Sequence, residues 1–369
     1  MEQWTLWLLL ALIALPVIFM AAATPYLTRR TESFGVAITE EVYRSSLVKR
    51  LRARYAAMTA ALSILILIGS LLAFPVQDEQ KMPYMILTFV VVSGIASLLL
   101  YLYNHMRMKR LKQEHGWQQP DLQTAVIDTS FRLRKPTLSN LWFVPHLLVT
   151  AATLAGVLIF YDRFPGTLAM QYNLQGEVTR SVDKSYLALL MPVGIQLMMV
   201  AVFMLTNTII SMSKQQLDKA DAAASLQRSL IFRRSWSVMI VVSGFLMTLL
   251  FSFMSLSFLL TLPPTLVTLV PLLITAVIIA GCIWLSLKVG QGGSRLQGVP
   301  AGAAATGTGP SDDDRHWKLG VFYFNPADPA LFLEKRFGVG WTINMGRPLA
   351  WLIAAVPLAL AALLIWLTP

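Results

Sequence analysis

The sequence has little of what a soluble or secreted protein needs. Only 13% of its 369 residues are charged, against 56% that are hydrophobic, whereas a soluble domain carries about 25% charged residues. The single cysteine, Cys282, cannot form an internal disulfide, which excludes a disulfide-stapled fold. The composition therefore places the chain among membrane proteins.

Motifs for catalysis and metal binding are also missing. The sequence contains no GxSxG nucleophile elbow, HExxH zinc helix or P-loop. His105 and His115 have no carboxylate or cysteine at metal-ligand spacing. Its long apolar runs lack Asp, Glu, Lys and Arg, the residues that mark ion pathways inside a membrane. We therefore predict no metal and no cofactor, and we expect a protein that is not an enzyme.

What the sequence does contain is a set of eight apolar runs long enough to cross a bilayer, which takes about 20 residues. They lie at 4–26, 56–75, 84–103, 141–161, 186–211, 236–261, 264–287 and 348–368. Backbone polar groups in lipid must bond within their own segment, so each run is predicted to be helical. Pro263 and Pro264 separate the sixth run from the seventh, because adjacent prolines break a helix. The predicted fold class is an all-α polytopic membrane protein with about eight transmembrane helices and a small cytoplasmic β-hairpin module.

The distribution of basic residues predicts the orientation. Of the 30 lysines and arginines, 26 lie in four alternate loops, which are 27–55, 104–140, 212–235 and 288–347. The positive-inside rule places these loops in the cytoplasm and both termini outside. Segment 161–184, which we call the outer segment, then faces the exterior. The net charge of +11 is thereby explained by topology, and no nucleic acid is predicted as a partner, since a binding patch would concentrate on one soluble domain.

Runs and loops divide the chain into six predicted parts. They are a three-helix region with basic loops (1–140), a two-helix unit around the outer segment (141–211), a second two-helix region (212–288), a Gly-, Ala- and Pro-rich linker (289–311), a hairpin module (312–347) and a last helix (348–369).

Two of the cytoplasmic loops contain helix signals. Thr39 followed by two glutamates predicts a capped helix start, and the alternating basic and apolar residues after it suggest an amphipathic helix on the inner leaflet. The alternative is that these charges only stop transfer. The stretch 104–115 predicts a basic extension of the third run that breaks at Gly116, and 125–135 has the composition of a short strand.

The loop before the last run predicts one β-hairpin. KLGVFYFN is typical of a strand, NPADP of a turn, and ALFLEKRFGVGWTIN of the return strand. The three consecutive aspartates Asp312, Asp313 and Asp314 are interpreted as a solvated acidic flank, since adjacent acids in an extended chain do not converge on one cation.

Polar side chains inside the runs allow more than one function. Gln196 and Asn207 are the deepest, and Thr248, Ser252 and Ser255 fall on one helix face. Such residues serve close helix packing, but they could also line the path of a transporter or lipid flippase. A membrane-embedded lipid-modifying enzyme is a further alternative, because the arginines and lysine of the outer segment could hold a phosphate.

A family resemblance narrows these options. The stretch YDRFPGTLAMQYNLQGEVTRSVDKS, within 141–210, resembles the extracytoplasmic signature of the SdpI-like immunity proteins, bacterial membrane proteins that protect a cell from a toxin. Gln171 stands where that family usually has a histidine. TPYLTRRTESFGVAI and WKLGVFYFNPADPALFLEKRFGVGWTIN resemble the first loop and an uncharacterised cytoplasmic domain of larger members. The matching positions are Tyr161, Phe164, Pro165, Tyr172, Asn173, Gly176, Glu177 and Lys184.

The resemblance implies a plasma-membrane protein of a Gram-positive bacterium that recognises a membrane-active peptide or lipid at its outer face, in immunity or envelope-stress sensing. Its expected partners are membrane lipids, a peptide toxin or small hydrophobic ligand, and a cytoplasmic regulator protein. The predicted ligand-binding residues are Tyr161, Asp162, Pro165, Tyr172, Asn173, Gly176, Glu177, Lys184, Gln196 and Asn207. The predicted functional residues of the cytoplasmic module are Trp317, Tyr323, Asn325, Asp328, Arg336, Trp341 and Asn344.

Overall fold

Most of the chain forms long helices. The computed structural model describes residues 4–74, 81–117, 135–172, 178–215, 222–260, 262–296 and 314–367. The helices are α1 (Trp4–Leu27), α2 (Glu40–Arg44), α3 (Ser46–Ala73), α4 (Met82–Glu114), α5 (Val144–Ile159), α6 (Tyr186–Met212), α7 (Ala222–Leu259), α8 (Pro264–Val289) and α9 (Pro348–Leu367).

Among the described residues, 7 helices are long and apolar enough to cross a membrane: α1 and α3 to α8. Their outward side chains fit a lipid solvent, since large apolar residues such as Leu72 and Ile159 are 80% and 74% exposed. The predicted helical, multi-pass fold is confirmed. The last predicted run forms α9, where several side chains lie outside the described set, and its crossing of the membrane stays a prediction.

The membrane helices pack in two groups joined by α8. Helices α1, α3 and α4 contact one another, α5, α6 and α7 form the second group, and α8 contacts both α1 and α7. The first group buries Leu10 of α1 against Met85 and Phe89 of α4. The second buries Phe143, just before α5, against Val200 of α6 and Val241 of α7. Helix α8 therefore connects two separately packed units.

In the described part of the chain, eight short strands form four antiparallel pairs. They are β1 (Glu32–Ser33) with β2 (Val36–Ala37), β3 (Thr167–Tyr172) with β4 (Val178–Asp183), β5 (Trp317–Lys318) with β6 (Phe322–Tyr323), and β7 (Phe332–Glu334) with β8 (Trp341–Ile343). The pair β3–β4 joins α5 to α6. The other three pairs lie at the opposite end of the bundle, where Lys214 beyond the end of α6 donates its backbone N–H to Phe332 O at 2.8 Å.

We name these two ends by their content. The hairpin face is formed by residues 160–185. The basic face is formed by residues 28–45, 105–117, 213–215, 290–296 and 314–347. The names describe the molecule and do not assign either end to a side of the membrane.

The loop after α1 differs from its prediction. The capped start at Thr39 is confirmed, because its Oγ1 accepts a hydrogen bond from Val42 N at 3.3 Å. The predicted basic helix is not a separate surface helix: α2 ends after one turn at Arg44, and the later basic residues belong to α3, which runs unbroken from Ser46 through the second apolar run to Ala73. Ser45 caps α3 through Val48 N. With no Gly or Pro before Gly69, no local signal stops the helix at the bilayer boundary.

Two other helix boundaries are confirmed. Helix α4 extends to Glu114, and the chain turns at Gly116 with φ +62°, a conformation that glycine adopts without strain. Helix α7 ends at Leu259 and α8 begins at Pro264, with Pro263 at its N-cap. The strand predicted at 125–135 and most of the linker 289–311 lie outside the described residues.

The C-terminal module, residues 314–347, contains two hairpins and not the single one predicted. Strand β5 turns back at Leu319 and Gly320 to pair with β6, and β7 pairs separately with β8. Gly320 has φ +71°, and a side chain there would meet Tyr101 and His105 at under 3 Å. This glycine turn lies within KLGVFYFN, so the predicted strand folds back on itself.

Candidate functional site

The outer segment forms a β-hairpin standing on the helix ends. Strands β3 and β4 pair in antiparallel register from Thr167 opposite Asp183 to Tyr172 opposite Val178, with an irregularity around Gln171. Leu168 is 1% exposed and packs with Phe164 on apolar residues of the helices below. These residues of α5, α6 and α7 are Val157, Leu189, Val193 and Phe258. The hairpin is thus seated on the second helix group.

Lys184 closes the base of this hairpin. Its backbone N–H donates to Gly166 O at 2.8 Å, and its Nζ donates to Phe164 O at 3.1 Å. The ammonium lies 5.0 Å from the ring centroid of Tyr161, which stacks on Tyr186 at 4.0 Å. In this structure Lys184 and Tyr161 therefore hold the hairpin in place.

The remaining predicted residues of the outer segment are partly visible. Asp162 and Pro165 are exposed. Tyr172 ends β3, and its side chain lies outside the described set. Asn173, Gly176 and Glu177 lie outside the described residues. The segment carries three acids and three bases in all, so its formal charge is zero.

Gln196 lies in the middle of the second helix group. It is fully buried, and its Nε2 donates to Thr248 O at 2.8 Å and to Ser252 Oγ at 2.9 Å. Thr153 of α5 bonds to the same hydroxyl at 2.7 Å. Gln196 stands ten residues from the start of α6, or about 15 Å along the helix. It thus connects three helices near the centre of the membrane.

Asn207 lies near the basic face and is fully engaged. Its Nδ2 donates to Leu138 O at 3.0 Å and to Asn140 Oδ1 at 2.8 Å, and its Oδ1 accepts from Ser237 Oγ at 2.6 Å. Leu138 N donates in turn to Ser237 Oγ. This network ties the chain entering α5 to α6 and α7, which is the helix-packing role among the predicted alternatives.

Grooves on the second helix group do not include these polar residues. One, of about 460 Å³, lies between α5 and α6 and is lined by Leu147, Leu197 and Met204 among other mostly apolar residues. The other, also of about 460 Å³, lies near the basic face beside Lys135, Leu230 and Arg234. Neither is lined by Gln196, Asn207, Thr248, Ser252 or Ser255.

The basic face contains a buried ion cluster centred on Glu334 of β7. The carboxylate accepts hydrogen bonds from Arg233 of α7 and from Arg29, which follows α1. The side chains of Glu334 and Arg233 are both 0% exposed. Arg233 also donates to Ser213 O at 2.9 Å. One carboxylate therefore binds arginines from both helix groups.

A second ion cluster corrects an interpretation from the sequence. Asp314 does not belong to a solvated acidic flank, since its carboxylate bonds to Arg336 and to Lys112 of α4 and accepts from Ala37 N at 3.1 Å. Burial raises the pKa of Asp314, but Arg336 and Lys112 outweigh it, so the pKa lies below its usual range. Asp312 and Asp313 are outside the described residues.

Asp328 pairs the module with the end of α6. Lys214 Nζ donates to its carboxylate at 2.6 Å, and the Tyr323 hydroxyl donates to it at 2.9 Å. Burial again tends to raise the pKa of Asp328. The bond from Lys214 and the N–H of Ala330 reverse this, so the pKa is lowered overall.

The other predicted module residues hold the module together. Asn344 is fully buried and its Nδ2 donates to the carbonyls of Asn325, Asp328 and Ala330. The rings of Trp317 and Tyr323 lie 5.2 Å apart. The Trp341 ring lies 5.2 Å from Phe232 of α7. These residues form a rigid unit docked on the helices.

Glu334, Arg233, Arg29 and Lys112 were not among the predicted site residues. All four lie between the apolar runs, in segments that the sequence predicts to be cytoplasmic loops. One available signal was that Glu334 lies in an apolar strand, FLE, where a glutamate facing inward needs a cationic partner. Which cations provide it depends on the fold.

Taken together, the spans and their apolar surfaces define an integral membrane protein of the multi-pass helical class. Two of its segments match known families. Residues 148–195 match a domain of unknown function (DUF1648), and residues 326–351 match a family of unknown function (DUF5808). The first covers most of α5, the β3–β4 hairpin and the first part of α6. The second covers β7, β8 and the start of α9.

No curated protein and no solved structure matches the chain. The two family descriptions do not mention SdpI-like proteins, so that resemblance stays a prediction.

Proposed function

We propose that the protein recognises a membrane-active peptide or lipid through the β3–β4 hairpin, on the outer side of a bacterial plasma membrane, as part of immunity or envelope-stress sensing. The observation that carries the proposal is the contrast within the hairpin itself. Its base is packed and hydrogen-bonded, whereas nearly every residue of β4 is exposed. A rigid base under an exposed strand is the arrangement of a recognition element.

The exposed strand offers a specific mode of binding. A two-stranded sheet has free backbone groups along both outer edges, and an extended peptide can add to such an edge through main-chain hydrogen bonds. Val178, at the start of β4, is 52% exposed. It provides an apolar contact beside the charges of Arg180 and Asp183. A peptide is therefore favoured over a lipid as the ligand.

The position of the hairpin relates binding to the membrane helices. Because Phe164 and Leu168 pack on the ends of α5, α6 and α7, a ligand that moves the hairpin also moves the second helix group. The segment similar to DUF1648 spans this same unit. A regulator protein on the opposite side of the membrane would be able to read such a movement through the C-terminal module.

The alternative functions receive less support. A transporter needs a polar path, and the side-chain amide nitrogens of Gln196 and Asn207 donate to groups of neighbouring segments. A lipid-modifying enzyme needs a nucleophile beside a base, and Lys184 of the outer segment is bonded to the backbone of its own hairpin.

The test compares bacteria that lack the gene with the same strain carrying the wild-type or a variant gene. Cells are exposed to a synthetic cationic amphipathic peptide, and permeabilisation is measured by dye uptake. We expect deletion to lower the permeabilising concentration and the wild-type gene to restore it. Val178→Asp should lose most of the protection, because one interface contact of this kind contributes about 1–2 kcal/mol, or about a tenfold change in affinity.

The matched control is Gln113→Asp, which adds the same charge at an exposed position on the basic face and should protect like the wild type. Equal permeabilisation with and without the gene would overturn the proposal. Binding of the purified protein to phosphatidylglycerol vesicles that Val178→Asp weakens and that Arg315→Gln with Lys318→Gln leaves in part would identify a lipid as the ligand of this hairpin.

A further inference from the structure

The β5–β6 hairpin has one buried and one exposed side. Trp317 and Tyr323 form a cross-strand pair and are 4% and 3% exposed. Lys318 pairs with Phe322 on the other side, where Phe322 is 50% exposed and Phe324, two residues on, is 44% exposed. Side chains alternate along a strand, so Lys318, Phe322 and Phe324 share this outer side.

Leu319 stands at the turn of the same hairpin. It is 51% exposed and has φ +54°, a conformation that leucine rarely adopts. A glycine or asparagine would adopt it at lower cost. A large apolar side chain held in a strained turn and directed away from the protein points to a function at that tip.

The hairpin lies along α4 and points toward the membrane. Its N-terminal end is bound at Lys112 through Asp314. Its turn is bound at Tyr101, whose hydroxyl donates to Leu319 O at 2.9 Å. From Lys112 back to Tyr101 is about 16 Å of helix. The single turn of 3-10 helix at Asp314–His316 and strand β5 lie between these two contacts, so the segment from Asp314 to Leu319 lies against α4 at both of its ends.

Tyr101 marks the boundary of the bilayer. It lies 19 residues after Met82, the start of α4, and about 20 residues cross the hydrocarbon core. Leu98 and Leu99, one turn earlier, are 50% and 61% exposed, as lipid-facing residues are. The first charged residue of α4 after the apolar run is Arg107. The turn of the hairpin therefore lies at the level where the acyl chains meet the headgroups.

From this geometry we propose that the outer side of the β5–β6 hairpin inserts into the leaflet on the basic face and binds anionic phospholipid. Leu319 and Phe322 enter the acyl-headgroup boundary, whereas Phe324, whose N–H donates to His316 O at 2.9 Å, lies farther from the turn. Lys318 and Arg315, both exposed, lie at the phosphate level. Exposed Phe and Leu beside basic residues are the composition of interfacial membrane anchors. The C-terminal module is thereby fixed to the lipid as well as to the helices.

The experiment uses the full-length protein, whose only cysteine is Cys282. In a Cys282→Ser background, single cysteines at Phe322 and Leu319 are labelled with the environment-sensitive dye NBD. The protein is reconstituted in phosphatidylcholine vesicles with or without phosphatidylglycerol. We expect blue-shifted emission at both positions and quenching by doxyl groups on shallow acyl carbons, with a larger shift when phosphatidylglycerol is present. Arg315→Gln with Lys318→Gln should remove that dependence.

The matched control is a label at Gln113, an exposed α4 residue that lies about 18 Å beyond Tyr101 along the helix. Its emission should remain that of a water-exposed dye in both vesicle types. If the labels at Phe322 and Leu319 also report water in phosphatidylglycerol vesicles, or shift without quenching by lipid, the proposal is overturned, and a protein partner becomes the occupant of this side. Two sites are labelled so that a local disturbance caused by the dye at one of them can be recognised from the other.

Discussion

The hairpin face and the basic face use charge in opposite ways. On the hairpin face Asp162, Arg163 and Asp183 are exposed to solvent. On the basic face Glu334 and Arg233 are 0% exposed and bound to each other. The first face leaves these charges in contact with solvent, whereas the second uses its charges to attach the C-terminal module to the helix ends.

This difference follows from what each face has to hold together. The hairpin connects two consecutive helices, so a single lysine, Lys184, and an apolar seat are enough to position it. The C-terminal module follows the seventh membrane helix and contacts both helix groups. Its contacts to Arg29 and Arg233 cross from one group to the other. Removing the paired charges should therefore destabilise the basic face, whereas removing the exposed charges of the hairpin face should leave its stability almost unchanged.

The largest expected effect comes from Glu334→Ala. Arg233 would be left buried without its carboxylate, and breaking a buried pair in this way costs about 3–5 kcal/mol. Thermal unfolding of the purified protein in detergent measures the loss. Lys335→Ala, at the exposed neighbouring residue, serves as the control and should change stability by no more than about 0.5 kcal/mol.

A double variant separates the charge from the packing. Arg233→Met with Glu334→Leu should recover much of the stability lost in Glu334→Ala, because a buried ion pair replaced by apolar residues is often tolerated. If Glu334→Ala and Lys335→Ala unfold at the same temperature, the ion cluster does not hold the module.

The second largest effect is expected from acidification, which should lower the stability of the basic face. The pKa values of Asp314 and Asp328 are lowered in the folded protein, so their contribution to stability is present above the unfolded-state pKa of about 3.9. It is lost as the pH falls through the lower folded-state values. We expect stability to decline below about pH 4, and to decline less in Asp314→Asn and Asp328→Asn. If the stability of both variants falls with pH as steeply as that of the wild type, other groups are responsible for the decline.

Within the membrane, substitutions of Asn207 and Gln196 should differ in their effect on the free energy of unfolding. Asn207→Leu removes the hydrogen bonds to Leu138, Asn140 and Ser237 and should cost up to about 1.7 kcal/mol, whereas Gln196→Leu should cost about 0.6 kcal/mol, the average for a hydrogen bond between membrane helices. Reversible unfolding in mixed micelles is the measurement. A strong loss of function with unchanged stability in Gln196→Leu would instead favour a substrate path through the bundle.

The smallest expected effect is on the hairpin face. Asp162→Asn and Val178→Thr change exposed side chains, so each should alter the free energy of unfolding by no more than about 0.5 kcal/mol. Lys184→Ala is the contrasting variant, because it removes the bond to Phe164 O that closes the hairpin. If Lys184→Ala and Asp162→Asn were equally stable, the base of the hairpin would not depend on this lysine.

The helices could be predicted well because their signals are local. Each long apolar run that the structure describes became a helix, the proline pair ended α7 before α8, and Thr39 capped α2. The predictions that failed needed information from elsewhere in the chain. The basic residues after Thr39 satisfy an amphipathic pattern, yet they continue into α3. The segment KLGVFYFN resembles one strand, yet Gly320 must turn against Tyr101.

The candidate site residues divide in the same way. Tyr161, Lys184 and Asn344 were identified from motifs that lie close together in sequence, and the structure shows each of them bonded within its own segment. Glu334 was missed because its partners, Arg29 and Arg233, lie 305 and 101 residues away. Mixed charge in a loop does not reveal which pairs become buried.

By itself the sequence determined that this chain is a multi-pass helical membrane protein. The apolar length of each segment is enough to cross the hydrocarbon core. Because lipid offers no hydrogen bonds, a segment that crosses it must bond its own backbone groups in a helix. Tertiary structure alone decided that one glutamate joins the two helix groups and that the turn of the β5–β6 hairpin packs on Tyr101 of α4. Both depend on contacts between distant residues, whose pairing is set by how the helices pack and not by the composition of any one segment.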